Sequence, residues 1–143
     1  VSHSGSYRAY RLVPGTDLRE FIETRCRDEK LDAGVILSMV GSLKVAAIRF
    51  AGVEQPAVLQ GPFEIVSVTG TVCADGPHIH LSIADKEGKV IAGHLALGSL
   101  VNTTVELVIL DISSEWEFER VVDPVSGDKE LQCTPKKSMM NAE

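Results

Sequence analysis

The spacing of apolar residues takes up a helical period in one stretch of the chain. Leu18, Phe21, Ile22 and Cys26 recur at helical intervals, with Arg19, Glu23, Arg25 and Arg27 on the other side. Pro14-Gly15-Thr16-Asp17 is turn chemistry, and Asp17 with Glu20 three positions on comes close to a capping box. One amphipathic helix is therefore predicted, ending near Lys30, with one face on a sheet. Elsewhere the pattern is β. Strands are expected over 7–13, 35–40, 43–50, 64–73, 103–112 and 115–122, with Gly41-Ser42 breaking the second from the third. A loop is expected from Gly52 to Pro56 and a turn at Ala74-Asp75-Gly76-Pro77. Short strands with hairpin-like links and a single helix predict a one-domain α+β fold, mostly an antiparallel sheet with the helix packed on it. Residues 1–6 are expected to be a flexible end, 7–133 the domain, and 134–143 a disordered polar tail.

The segment from Pro77 to His94 carries the candidate chemistry. It holds three of the four histidines. His78 and His80 are two apart, which on a strand puts both on one face. Asp85-Lys86-Glu87-Gly88 reads as a type I turn closed by Gly in the left-handed conformation, a three-residue hairpin loop. Asp85 then faces Lys89, His80 faces His94 and Ser82 faces Ala92. Ile79, Leu81, Ile83, Ile91 and Leu95 fall on the opposite face. A two-residue loop would reverse the parity. The register that sorts the apolar residues thus also gathers His78, His80 and His94. Three neutral imidazoles with an open fourth position suit a divalent ion, zinc first, although copper, nickel and iron also accept imidazole. The plainer alternative is a set of polar residues on a solvated face. Cys73, five residues before His78, is a candidate extra ligand whose simpler role is a buried core thiol.

Composition narrows the rest. The chain has 143 residues, 44% hydrophobic and 24% charged, an ordinary globular balance. Net charge is −6, and Lys136-Lys137 is the only basic pair of note, which argues against direct nucleic-acid binding. No apolar run is long enough to span a bilayer, and the first residues do not read as a signal peptide. Three cysteines, an odd number with no scaffold spacing, predict reduced thiols in a cytoplasmic or nuclear protein that is not secreted. Long apolar strands and one helix leave surface to cover, which predicts a homo-oligomer.

Gly41-Ser42-Leu43, Gly61-Pro62-Phe63-Glu64-Ile65-Val66, Gly70-Thr71-Val72 and Pro77 through His94 form an ordered set. Phe118-Glu119-Arg120, Asp123-Pro124 and Ser126-Gly127 extend it. Together they resemble the PPC (plants and prokaryotes conserved) domain, over roughly Tyr7 to Leu131. The resemblance implies an α+β fold assembled as a homotrimer. In plants such domains accompany AT-hooks that contact DNA, and this chain has no Arg-Gly-Arg-Pro hook. Prokaryotic-type members carry the histidine set, which in some holds a metal thought to be zinc. The resemblance also marks Glu106, acidic in the family, as a possible further ligand or orienting group. It supplies no reaction, so whether the chain is an enzyme stays open. Two readings stand: a zinc-binding homotrimer with room for a small-molecule ligand, and a non-catalytic assembly or regulatory module.

Overall fold

The computed structural model describes residues 5–137. In chain order the elements are β1 (Ser6–Leu12), α1 (Leu18–Asp28), β2 (Gly34–Arg49), β3 (Ala57–Val72), β4 (His78–Ala84), β5 (Val90–Leu95), β6 (Leu100–Asp111), β7 (Trp116–Val122) and β8 (Lys129–Pro135). The first six strands to pair form one sheet in the order β1-β6-β2-β3-β4-β5, and β7 and β8 form a separate ribbon. Every pairing is antiparallel. The sheet curls until its last strand meets the end of β2, where Ile48 faces Leu95 and Arg49 faces His94.

The helix forms where its caps and stripe predict. Asp17 Oδ1 accepts a hydrogen bond from the Glu20 N–H at 3.1 Å, and Arg25 and Arg27 lie in the last turn, where cations suit the helix dipole. Its stripe of Leu18, Ile22 and Cys26 is buried in one cluster with Leu43, Ile48, Ile79, Ile83, Leu95, Leu107 and Ile109. Each such Leu or Ile contributes about 1.5–3 kcal/mol relative to exposure. A polar clasp closes the far end. Arg8 donates to Glu29 at 2.7 Å and to Asp111 at 2.8 Å, and the Tyr10 hydroxyl donates to Glu29 at 2.5 Å. Burial, then the bond to Glu29, pushes the Tyr10 phenol up to about 12. Burial works to raise the Asp111 carboxyl, but bonds from Ser113 and Arg8 outweigh it and hold it below its ordinary value.

Three boundaries differ from the sequence expectation. First, Gly41-Ser42 does not end a strand: β2 runs through it. Gly41 has φ +151°, and a Cβ there would lie 2.0 Å from the Thr104 carbonyl oxygen. The glycine is a close crossing of β2 over β6, with a register shift beside it. Second, β3 begins at Ala57, seven residues before Glu64. Gln60 faces Val45 and Phe63 faces Leu43, so Gly61 and Pro62 together oppose Lys44. Such a bulge tolerates a proline inside a strand. Third, Thr134 and Pro135, expected in the tail, belong to β8 and pair with Glu117 and Trp116 of β7. Lys136 Nζ reaches Asp32 at 2.9 Å. Residues 138–143 lie outside the described residues, as do 1–4, while Ser6 opens β1. No helix among the described residues is long and apolar enough to cross a membrane.

Candidate metal centre

The β4–β5 hairpin has the register that its turn residues predict. The Gly88 N–H donates to the Asp85 carbonyl at 2.9 Å, and the Asp85 N–H donates to the Lys89 carbonyl at 3.0 Å. The Asp85 carboxylate accepts from the Glu87 and Lys89 N–H groups, both at 2.9 Å, and Gly88 sits at φ +79°. His80 faces His94, Ser82 faces Ala92 and Ala84 faces Val90. Ile79, Leu81, Ile83 and Leu95 are buried on the other face, while His78 and His80 are exposed and His94 half-buried.

The hairpin is held against its neighbours at the histidine end. Thr71 of β3 faces His78, Thr69 faces His80, and Arg49 of β2 faces His94. Gly93 permits that last approach: a Cβ there would lie 2.6 Å from both the Arg49 carbonyl oxygen and Ile48 Cγ2. Arg19 on the helix fastens both strands, donating to the Leu95 carbonyl at 2.9 Å and the Pro77 carbonyl at 3.2 Å. An Nε–Glu23 ion pair at 2.9 Å orients it.

The three imidazoles converge. One ligand nitrogen from each lies within 4.8 Å of the others. His78 Nε2 and His80 Nε2 are 3.2 Å apart. A tetrahedral ion with nitrogens at about 2.0–2.1 Å spaces them about 3.3 Å apart. Ring centroids are separated by 4.9, 5.3 and 5.6 Å. His94 Nδ1 is buried without a hydrogen-bond partner among the described residues, a polar atom that they leave unsatisfied. The donor set therefore fits an ion. Burial, followed by the charges of Arg19 and Arg49, lowers the His94 imidazole to about 4. Partial desolvation against its neighbours, followed by the charges of Arg120 and His80, lowers His78 even though the residue is open to solvent on one side. Both rings are held in the neutral form that ligates metal.

The other candidates fall elsewhere. Glu106 lies on β6 between Arg11 of β1 and Val40 of β2, outside the histidine group of its own chain. Cys73 is buried, its Sγ 3.7 Å from the Gly76 carbonyl, and burial raises its thiol pKa. Sequence reasoning did not single out Arg19, Arg49 or Arg120, which surround the trio. Arg49 could have been noticed as a cation ending an apolar strand. Arg19 and Arg120 left no local signal, since long-range pairing alone brings them near.

The family model of the Plants and Prokaryotes Conserved (PCC) domain matches residues 2–113. Two curated relatives, both called bifunctional protein GlmU, come from Synechococcus strains JA-3-3Ab and JA-2-3B'a(2-13). They are 43% identical over 130 residues and 42% identical over 133, covering 90% and 92% of this chain. The chain spans 21% of the length of each. Among solved structures, a hypothetical protein from Salmonella superposes with a TM-score of 0.89 at 33% identity, over 95% of this chain and 98% of its own. A metal-containing protein from Archaeoglobus fulgidus superposes with a TM-score of 0.72 at 28% identity, over 90% and 94%. A plant- and prokaryote-conserved protein from Pyrococcus horikoshii gives 0.69 at 25%, over 90% and 94%.

Proposed function

The chain belongs to the Plants and Prokaryotes Conserved domain family, and from that premise and the histidine geometry we propose that it is a zinc-binding homotrimer. His78, His80 and His94 hold the ion. The observation that carries this reading is the 3.2 Å separation of two imidazole nitrogens, with the third ring converging on the same point. The metal-containing relative from Archaeoglobus fulgidus supports it. Bound there, zinc would supply a Lewis-acidic position open to water or a small ligand. The chain holds three neutral donors in place through hairpin register, the backbone ladder between β2 and β5, and the Arg19 clamp. Exposed Leu37, Val40, Val58 and Val66 supply apolar surface for subunit contact. Glu106 is proposed as a contact residue at that boundary or an orienting group for a neighbouring centre.

A second reading is an assembly or regulatory module without turnover. Its support is that a segment like this one makes up about a fifth of the longer GlmU relatives. Metal analysis and zinc calorimetry of the purified protein separate the two. One zinc per chain at neutral pH is the expected result, and no uptake would leave the module reading.

A further inference from the structure

Two cavities flank the histidine trio. One, of about 790 Å³, reaches His78 and His94, and the other, of about 570 Å³, reaches His80 and His94. Acidic and basic side chains line the larger in equal number, so what decides its chemistry is which of them are already engaged. Glu23 is held by Arg19, Asp75 accepts from the Arg120 backbone N–H at 3.0 Å, and Glu130 accepts from the Ser126 hydroxyl at 3.2 Å, while Glu54, Asp128 and Lys129 make no ion pair among the described residues, so position beside the trio sets the remaining cations apart. Arg19 in turn is engaged at all three side-chain nitrogens, by Glu23 and two carbonyls.

Arg49 and Arg120 are different. Arg49 faces His94 in register and lines both cavities. Among the described residues its side chain makes no ion pair, all of which lie elsewhere. Arg120 gives Nη2 to the Thr71 hydroxyl at 2.9 Å, and Thr71 faces His78. Among the described residues the rest of that guanidinium has no carboxylate partner. Two guanidiniums thus stand on either side of the trio. The trio contains no carboxylate, so three neutral imidazoles would leave a divalent ion's charge unreduced. Concentrated positive charge in a cleft attracts an anion, and a planar guanidinium matches an oxyanion's geometry.

We propose that Arg49 and Arg120 form an oxyanion clamp beside the histidine centre, taking the carboxylate or phosphate group of a small molecule. This rests on the metal reading above. The shared chemistry is the oxyanion, and the test distinguishes its two sources. Cobalt(II)-substituted protein is titrated with acetate and with inorganic phosphate, followed by visible absorption, and zinc-loaded protein is titrated by calorimetry. Metal uptake by Arg49→Gln is measured first. It should be unchanged or raised, because a nearby cation has been removed. At least one anion should then perturb the wild-type spectrum saturably. Its affinity should fall about tenfold in Arg49→Gln, the loss of one charge-assisted bond. Arg49→Lys should recover only part of it, and Arg120→Gln should weaken it again. Tighter acetate assigns a carboxylate ligand, and tighter phosphate a phosphorylated one. Equal anion affinity in wild type and Arg49→Gln, with metal uptake intact, overturns the clamp and leaves the metal reading standing. Absence of metal uptake by the wild type overturns both.

Discussion

His80 stands directly across the β4–β5 ladder from His94, and the residues between them in sequence close a turn that allows no other parity. Five residues after Ala84, Lys89 returns its carbonyl to Asp85. From there the pairing runs up to the two histidines without a shift. The centre is therefore a property of the hairpin first and of its surroundings second.

Adjacent positions on β4 should respond in opposite ways. His80→Ala removes an exposed ring and should change unfolding free energy by within about 0.5 kcal/mol. Zinc affinity should fall by more than the ~10–100-fold that loss of an outer-shell partner costs. Ile79→Ala empties a site with 0% exposure and should cost about 2–5 kcal/mol. Urea unfolding of the metal-free variants and zinc calorimetry check both.

Gly93→Ala should damage the centre without touching a ligand. The added methyl meets the Arg49 carbonyl and Ile48, so β5 must move off β2 and carry His94 away from its partners. Loss of stability of about 1–3 kcal/mol is expected from such overpacking. Weakened zinc binding should accompany it, read by thermal melts and calorimetry.

The lowered imidazoles set a pH dependence. Burial in the folded chain lowers the His94 imidazole to about 4, against about 6.5 when unfolded. Between those values the unfolded chain binds more protons, so stability of the metal-free protein falls as pH drops through that window. His94→Gln should flatten that slope in thermal melts from about pH 7 to about pH 4. For the metal, the same shifts act against proton competition. The loss expected below about pH 6 for ordinary imidazoles should be displaced to lower pH where His78 and His94 are concerned. NMR titration of the imidazole protons reads this directly.

Assembly gives the fourth prediction. Light scattering at micromolar concentration should return three times the 15.4 kDa chain mass. Val66→Glu, at an exposed strand position, should weaken the trimer if that surface is buried between subunits. A monomeric wild type would remove the trimer from the proposed function.

Local chemistry in the sequence determined the helix, from Asp17 and the stripe of Leu18, Ile22 and Cys26. It also determined the hairpin register, from Asp85, Gly88 and the apolar alternation that only one parity satisfies. Those features act over a few residues and leave their mark in spacing. Tertiary structure alone decided the rest. Gly41-Ser42 reads as a break, and the next strand was expected only from Glu64, past Gly61-Pro62, because a glycine or proline looks the same whether it ends a strand or lets another backbone pass. The partner strand that tells the two apart lies far along the chain. The strand over 129–135 was invisible because an exposed two-stranded ribbon buries little and needs no apolar period. Arg49, Arg19 and Arg120 reach the histidines through pairings that span tens of residues. Burial, and after it the charges of Arg19 and Arg49, lowers the His94 imidazole, and the placing of those charges is set by the curl of the sheet and by no motif.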